Sequence, residues 1–316
     1  MNYETTFKQK LKTDLKYTDI TESSVKNYLR HMELLNDDLP LKNLDFLKDV
    51  DNIVDKLKKY KENTKRNYLI SISAVLNGYK DKNKSFKKTY MKYFDLLLDI
   101  NGKLKTKEKL NEKSDTQKEN WIKWDEVENK WEELKEQVNK FVNNKELNTF
   151  QYNKLLDFVI LSLYVLIPPR RNKDYLLMNI IKGHKKIDDV KINYLDLDNK
   201  MFIFNNYKTV KTEGQQEIDI DERLMKIINV YLKFRGLTRI KKFNEPFLVN
   251  SESKELNNVN SITYVLNRIF KKKVSSSMLR HSYLTHKYGD TLEDMKKDSE
   301  AMSHSLDTQK DYIKKN

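Results

Sequence analysis

The residues with the most chemistry in them lie near the C-terminal end of the chain. Arg280 and His281 follow Val274-Ser275-Ser276-Ser277-Met278-Leu279, His304 follows Met302-Ser303, and Tyr312 comes eight positions later. A guanidinium, an imidazole and a phenol can all serve one phosphate. The stretch reads as two or three short helices. Ser276 or Ser277 caps one that runs to about Tyr288, Gly289 ends it, and Thr291 opens the next. Nothing in the spacing alone forces the three groups into one cleft, and an ordinary helical terminus has the same pattern, so the rest of the chain must supply the context.

Upstream, Arg171 and Lys208 extend the series to Arg171, Lys208, Arg280, His304 and Tyr312. These five types form a complete set for phosphoryl transfer without metal or other cofactor. Tyr312 is the candidate nucleophile, storing the bond energy as a phosphotyrosine ester. Arg171 and Arg280 would grip the non-bridging oxygens and His304 would donate to one of them. Lys208 would protonate the leaving 5′ oxygen.

Composition points to a polyanionic partner. The 316 residues carry 61 Lys+Arg against 47 Asp+Glu, a net charge of +14, which favours nucleic acid or an anionic surface. Only nine of the basic residues are Arg, so each Arg stands out as a planar, bidentate phosphate ligand among flexible Lys. There is no Cys, which excludes disulfides and thiolate chemistry and makes an intracellular location the expectation. Residues 1–16 are polar, without the apolar run of a signal peptide. The longest apolar stretch, 155–167, contains Asp157 and is too short to span a bilayer.

The elements that must position these groups fall into two expected domains. Residues 1–16 read as a loose basic arm. Helices are expected from Thr21 to before Pro40, then at about 50–60, 64–78 and 89–100, giving an all-helical domain over 1–100. Lys80, Lys82, Lys84, Lys87, Lys88 and Lys92, interleaved with aromatics and one acid, read as a phosphate-tracking connection or, equally, as a solvated loop. Residues 101–120 read as a basic interdomain linker.

The second domain, 121–316, begins with Trp121, Trp124 and Trp131, read as packing residues, and a buried helix over 149–167. Pro168-Pro169 ends that helix, and Arg170-Arg171 precedes a further one through Leu176, Leu177 and Ile180. A three-stranded antiparallel meander follows at 192–197, 201–207 and 217–220, with Lys208 and Lys211 on its second hairpin. Helices resume at 221–234 and 261–273, and Arg235 and Arg239 read as surface or helix-end residues. The fold class is therefore mainly α with a small antiparallel sheet.

Other enzyme classes fit less well. A two-metal nuclease needs converging carboxylates, and Asp188, Asp189, Asp219 and Asp221 read as loop and strand-edge residues. Six Gly in all leave no phosphate-binding Gly-rich loop. His184, His281 and His286 lack partners at zinc spacing.

The second domain resembles the catalytic domain of the tyrosine recombinase, or phage-type integrase, family. The family's first motif, an Arg followed three residues later by an acid, fits Arg171 to Asp174 better than Arg170. Its hairpin Lys fits Lys208, with Lys211 second. Its His-x-x-Arg-His box corresponds to Ser277-Met278-Leu279-Arg280-His281, and Leu-Gly-His followed by Tyr corresponds to Met302-Ser303-His304 and Tyr312. The Lys-rich character is similar to viral or virophage members. The resemblance implies a helical core-binding domain and a catalytic domain clamped around double-stranded DNA, a 3′-phosphotyrosyl intermediate, and a homotetramer on paired sites that is monomeric or dimeric off DNA.

The chain departs from the pattern at Ser277, where the family's first box-two His would stand, and in a His304-to-Tyr312 interval about one residue short. A type IB topoisomerase shares the same five groups. A relative that binds DNA without cleaving it is the third reading.

Overall fold

The computed structural model describes residues 7–16, 20–109, 113–183, 189 and 191–314, in two compact units, Met1–Lys113 and Ser114–Asn316. The expectations for His184 and Asp188 fall outside the described residues. The first unit is all-helical. Helix α1 (Phe7–Lys16) forms where the sequence suggested a loose arm, because Phe7, Leu11 and Leu15 recur every four residues among the lysines and Leu11 and Leu15 are buried. In α2 (Glu22–Leu35), Val25, Leu29, Met32 and Leu35 make one buried stripe, and the Thr21 hydroxyl caps the helix by accepting from Ser24 N at 3.3 Å.

Helices α3 (Val50–Leu57) and α4 (Glu62–Asn77) complete the core with α5 (Lys84–Lys109). Fully buried Tyr93 of α5 donates its hydroxyl to Leu47 O at 2.9 Å. Two expectations change here. The Lys-rich connection is mostly helix, since α5 starts at Lys84, and residues 101–109, read as linker, continue α5.

The second unit is built around α8 (Thr149–Val165), in which every residue from Leu155 to Tyr164 is buried. A helix apolar on all sides needs cover on all sides. Helices α6 (Asp115–Asn120) and α7 (Trp124–Asn139) precede it, so residues 115–120 of the expected linker are also helical. The tryptophans pack: Trp131 Nε1 donates to Ser162 Oγ of α8 at 2.8 Å, and the Trp124 ring meets Tyr283 edge-on at 5.1 Å.

After α8 the helix expected through Leu176, Leu177 and Ile180 stops at once. Helix α9 (Asn172–Tyr175) is a single turn, Leu177 adopts φ 60°, and the chain enters strand β1 (Asn179–Lys182). Strands β2 (Tyr194–Asp196) and β3 (Met201–Phe204), helix α10 (Val210–Glu213) and strand β4 (Gln216–Asp219) follow, and the β2-β3-β4 meander is antiparallel as expected. The sheet is larger and mixed. β1 pairs with β2 in parallel and with β5 (Phe243–Pro246) in antiparallel fashion, giving the order β4-β3-β2-β1-β5.

Helix α11 (Glu222–Phe234), capped by Asp221, lies between β4 and β5, and Arg235 at its end donates to Pro246 O and Phe247 O. Arg235 is thus a structural tie, whereas Arg239 is exposed. Among the described residues no helix is long and apolar enough to cross a membrane.

Helix α12 (Ser261–Phe270) is joined to α8 by an ion pair between Arg268 and Asp157, whose side chain is buried. Burial pushes the Asp157 carboxyl above its ordinary pKa, and Arg268 pulls it back. Removing the cation leaves a buried carboxylate unpaired, but Arg268 is half-exposed and water screens part of the loss. Arg268→Ala is therefore expected to cost about 1–2 kcal/mol at pH 7. Without the cation the Asp157 pKa rises further, so the loss is full only above the variant's folded pKa and disappears below the wild-type folded pKa, where the neutral acid needs no cation in either chain. Urea unfolding at pH 7 and pH 4 measures both.

The chain ends in α13 (Ser276–Ala301) and α14 (Leu306–Tyr312). The break expected at Gly289 does not occur. Instead α13 stays unbroken for 26 residues and stops at a Schellman turn. There Ser303 takes φ 57° and its N–H donates to Glu300 O, while His304 N donates to Ser299 O at 3.0 Å.

Candidate functional site

The C-terminal end of α8, the β3-to-β4 connection and the first turns of α13 enclose a cleft of about 260 Å³ that contains Arg170, Arg171 and Arg280. Each Arg has a different status. The Arg170 guanidinium lies 3.8 Å from the Phe204 ring centroid, donates from Nε to Asp174 Oδ2 at 3.0 Å and from Nη1 to Gln216 Oε1 at 2.9 Å. One of its faces and two of its edges are thus committed to holding the cleft wall. Arg171 is the N-cap of α9 and its carbonyl accepts from Asp174 N at 2.9 Å, while its half-buried side chain has no hydrogen-bond or ion-pair partner among the described residues.

Arg280 is positioned by the start of α13. Ser275 caps that helix by accepting from Met278 N at 3.2 Å, and buried Met278 and Leu279 anchor its first turn. Arg280 is half-buried, lines the cleft and likewise has no partner among the described residues. One residue before Ser277, buried Ser276 pins α13 to α9 by accepting from Asn172 N at 3.3 Å. Asn172 is in turn held by Tyr164 at 2.7 Å and Thr263 at 2.8 Å. Two guanidinia without hydrogen-bond partners are thus carried by separate elements that are bolted together beneath them.

The floor adds a carboxylate. Asp174 is buried, its carboxyl is raised by that burial against the pull of Arg170 and then Arg171, and its Oδ1 has no partner. Tyr207, whose hydroxyl donates to Gly214 O at 2.6 Å, and Thr209 complete the wall beside the meander. Lys208 stands between them, exposed and outside the lining itself. The sequence reading missed Gln216 and Thr209. No local signal marks them, because their role comes from how β4 returns alongside β3.

Ser277 is exposed and does not line the cleft. Nor do His304 and Tyr312. At about 1.5 Å per residue, α13 carries the chain about 30 Å from Arg280 to Ala301. Even if seven-residue α14 folded straight back, it would recover only about 10 Å, leaving Tyr312 about 20 Å from the Arg280 backbone. His304 and Tyr312 keep company with each other, their rings 5.7 Å apart, and Tyr312 is 70% exposed. The structure therefore assembles the two arginines and separates them from the imidazole and phenol.

In the first unit, Lys84, Lys88 and Lys92 recur every four residues of α5 and so share one face, with Lys87 beside them. All four are exposed. Lys80 and Lys82 lie over the Tyr90 and Tyr79 rings, at 4.8 and 5.8 Å from their centroids. Among the described residues none of the six has a carboxylate partner, so their charge is uncompensated. Comparison of the chain with protein-family models, curated proteins and solved structures finds no match.

Proposed function

We propose that the chain binds double-stranded DNA and cleaves and rejoins its strands through a 3′-phosphotyrosyl intermediate, as a tyrosine-recombinase-like site-specific strand transferase. The observation that carries this reading is the convergence of two unpaired, bidentate-capable guanidinia, Arg171 and Arg280, on one cleft. A single phosphodiester has two non-bridging oxygens, and two forks carried on separate elements around one cleft match them. Arg170, stacked and paired, stiffens the wall instead of binding phosphate. Lys208, on the adjacent turn, is the proposed acid for the leaving 5′ oxygen.

Tyr312 remains the proposed nucleophile with His304 beside it, which requires α14 to move to an Arg171/Arg280 cleft. It can move within its own chain, by bending α13 at Gly289, or the cleft can be that of a second copy in a tetramer on paired sites. Beyond Gly289 only Ser299 of α13 is buried, so little packing opposes a bend. Trapping on a nicked suicide duplex tests the reading: a denaturation-resistant protein–DNA adduct supports it, and its absence under conditions of full binding rejects it. The separation of Tyr312 from the cleft favours, as second reading, a relative that grips DNA phosphate without cleaving. Relaxation of supercoiled plasmid by the monomer, without exchange between sites, would point to a topoisomerase.

The lysines of the first unit are proposed to track the backbone. Changing Lys80, Lys82, Lys84, Lys87, Lys88 and Lys92 to Gln should reduce the slope of log affinity against log salt by up to about 5, at roughly 0.9 for each phosphate no longer neutralised. An unchanged slope would show these lysines to be merely solvated.

A further inference from the structure

A second concave site, chemically unlike the arginine cleft, lies between α7 and α11 over α8. It has a volume of about 380 Å³, within the range of small-molecule pockets. Leu155 and Phe158 of α8 form its floor, Trp131 and Val138 one wall, and Ile227 and Val230 the other. The walls are single helix faces: Trp131, Lys135 and Val138 fall at i, i+4, i+7 on α7, and Arg223, Ile227 and Val230 at the same spacing on α11. The Trp131 ring is held in place by its bond to Ser162.

The two ends differ. Near the C-terminal ends of both helices, Lys233 Nζ donates to Val142 O at 3.0 Å, one turn beyond Val230, and this bond ties the walls together at the end lined by Val138, Asn139 and Val230. Toward the other end stand Lys135, Arg223 and Lys226. Glu132 holds Lys135 at 2.8 Å and Asp221 holds Arg223 at 3.3 Å, whereas Lys226 is exposed and has no partner among the described residues. The site is a largely apolar slot tied at one end, with Lys135, Arg223 and Lys226 along the rest of its rim, of which Lys226 has no partner among the described residues.

We infer that this slot binds a small anionic amphiphile, an acyl or aryl chain carrying one acid group, with the chain between α7 and α11 and the acid at Lys226, Arg223 and Lys135. An apolar body gains by leaving water along Leu155, Phe158 and Val230, and the acid group stays at the rim where it is still partly hydrated. A neutral chain would gain no ion pair at the exposed Lys226, and a cationic one would meet it with like charge. The tied end and modest volume argue for a short chain over a helix of a protein partner, which needs a groove open at both ends. This site does not depend on the arginine cleft or on the function proposed for it.

Laurate, below its micellar concentration, is the probe. Calorimetric titration of the full chain should show saturable 1:1 binding, with dodecanol at least about tenfold weaker and dodecyltrimethylammonium not bound, a discrimination that costs one ion-pair contact. Val230→Trp, which fills the slot, should abolish laurate binding. Lys226→Glu, on the exposed face of α11 where misfolding is not at issue, should weaken laurate at least about tenfold and leave dodecanol unchanged. Laurate binding that survives Val230→Trp, or equal affinity for laurate and dodecanol in the wild-type chain, overturns the proposal. So does a slot that takes an acidic amphipathic peptide but no laurate.

Discussion

Tyr312→Phe is expected to form no denaturation-resistant adduct with a nicked suicide duplex, while its DNA affinity changes by less than about twofold, because one oxygen is lost and no charge. The phenol is 70% exposed and packs into no core, so the substitution has no route to act through stability. Mixing then tells where the phenol acts. If α14 reaches the cleft of a second copy, Tyr312→Phe mixed with Arg280→Lys should regain adduct, since one chain supplies an intact cleft and the other an intact nucleophile. If α13 bends within one chain, the mixture stays inactive.

In that second case Gly289→Ala becomes informative. An added Cβ meets only Thr285 Cγ2, at 3.7 Å, so the site accepts it. Ala favours the straight helix by about 0.5–1 kcal/mol, and cleavage should slow by about two- to fivefold. An adduct that persists in Tyr312→Phe would move attention to Tyr288, which is half-exposed and about 12 Å along α13 from Arg280.

The same helix shows where sequence was informative and where it was not. The stripe Val25, Leu29, Met32 and Leu35, the buried run of α8 and the β2-β3-β4 meander all carry their period in consecutive residues, and each was legible. Gly289 misled because a C-terminal cap requires φ > 0 and a closing hydrogen bond. At Gly289 neither arises, and Ser303 supplies both. Strands β1 and β5 were missed because Asn179–Lys182 and Phe243–Pro246 are four residues each and owe their state to each other across the sheet. Arg171 and Arg280 could be singled out from their scarcity among lysines. That Arg170 is consumed by Phe204, Asp174 and Gln216 could not, since those partners come from three separate elements and only the fold puts them within reach.

That division of labour among the arginines sets the sharpest expectation. Arg171→Lys and Arg280→Lys keep the charge but replace a planar fork by a point donor, losing one of two parallel hydrogen bonds to a phosphate oxygen that gains charge in the transition state. Single-turnover cleavage of a suicide substrate should fall by about 10²- to 10³-fold in each, the scale of removing one oxyanion donor, with binding nearly unchanged. Arg170→Lys should behave differently. It gives up the stacking on Phe204 and the paired bonds to Asp174 and Gln216, leaving the buried Asp174 carboxyl poorly answered, so it should lower the unfolding midpoint in urea as well as the cleavage rate. Arg239→Lys, on the exposed surface, is the control that should change none of these. Wild-type cleavage by Arg171→Lys with a slowed, destabilised Arg170→Lys would exchange the two roles. Wild-type cleavage by Arg280→Lys would remove α13 from the phosphate cleft altogether, and with it the main physical reason for placing phosphoryl transfer there.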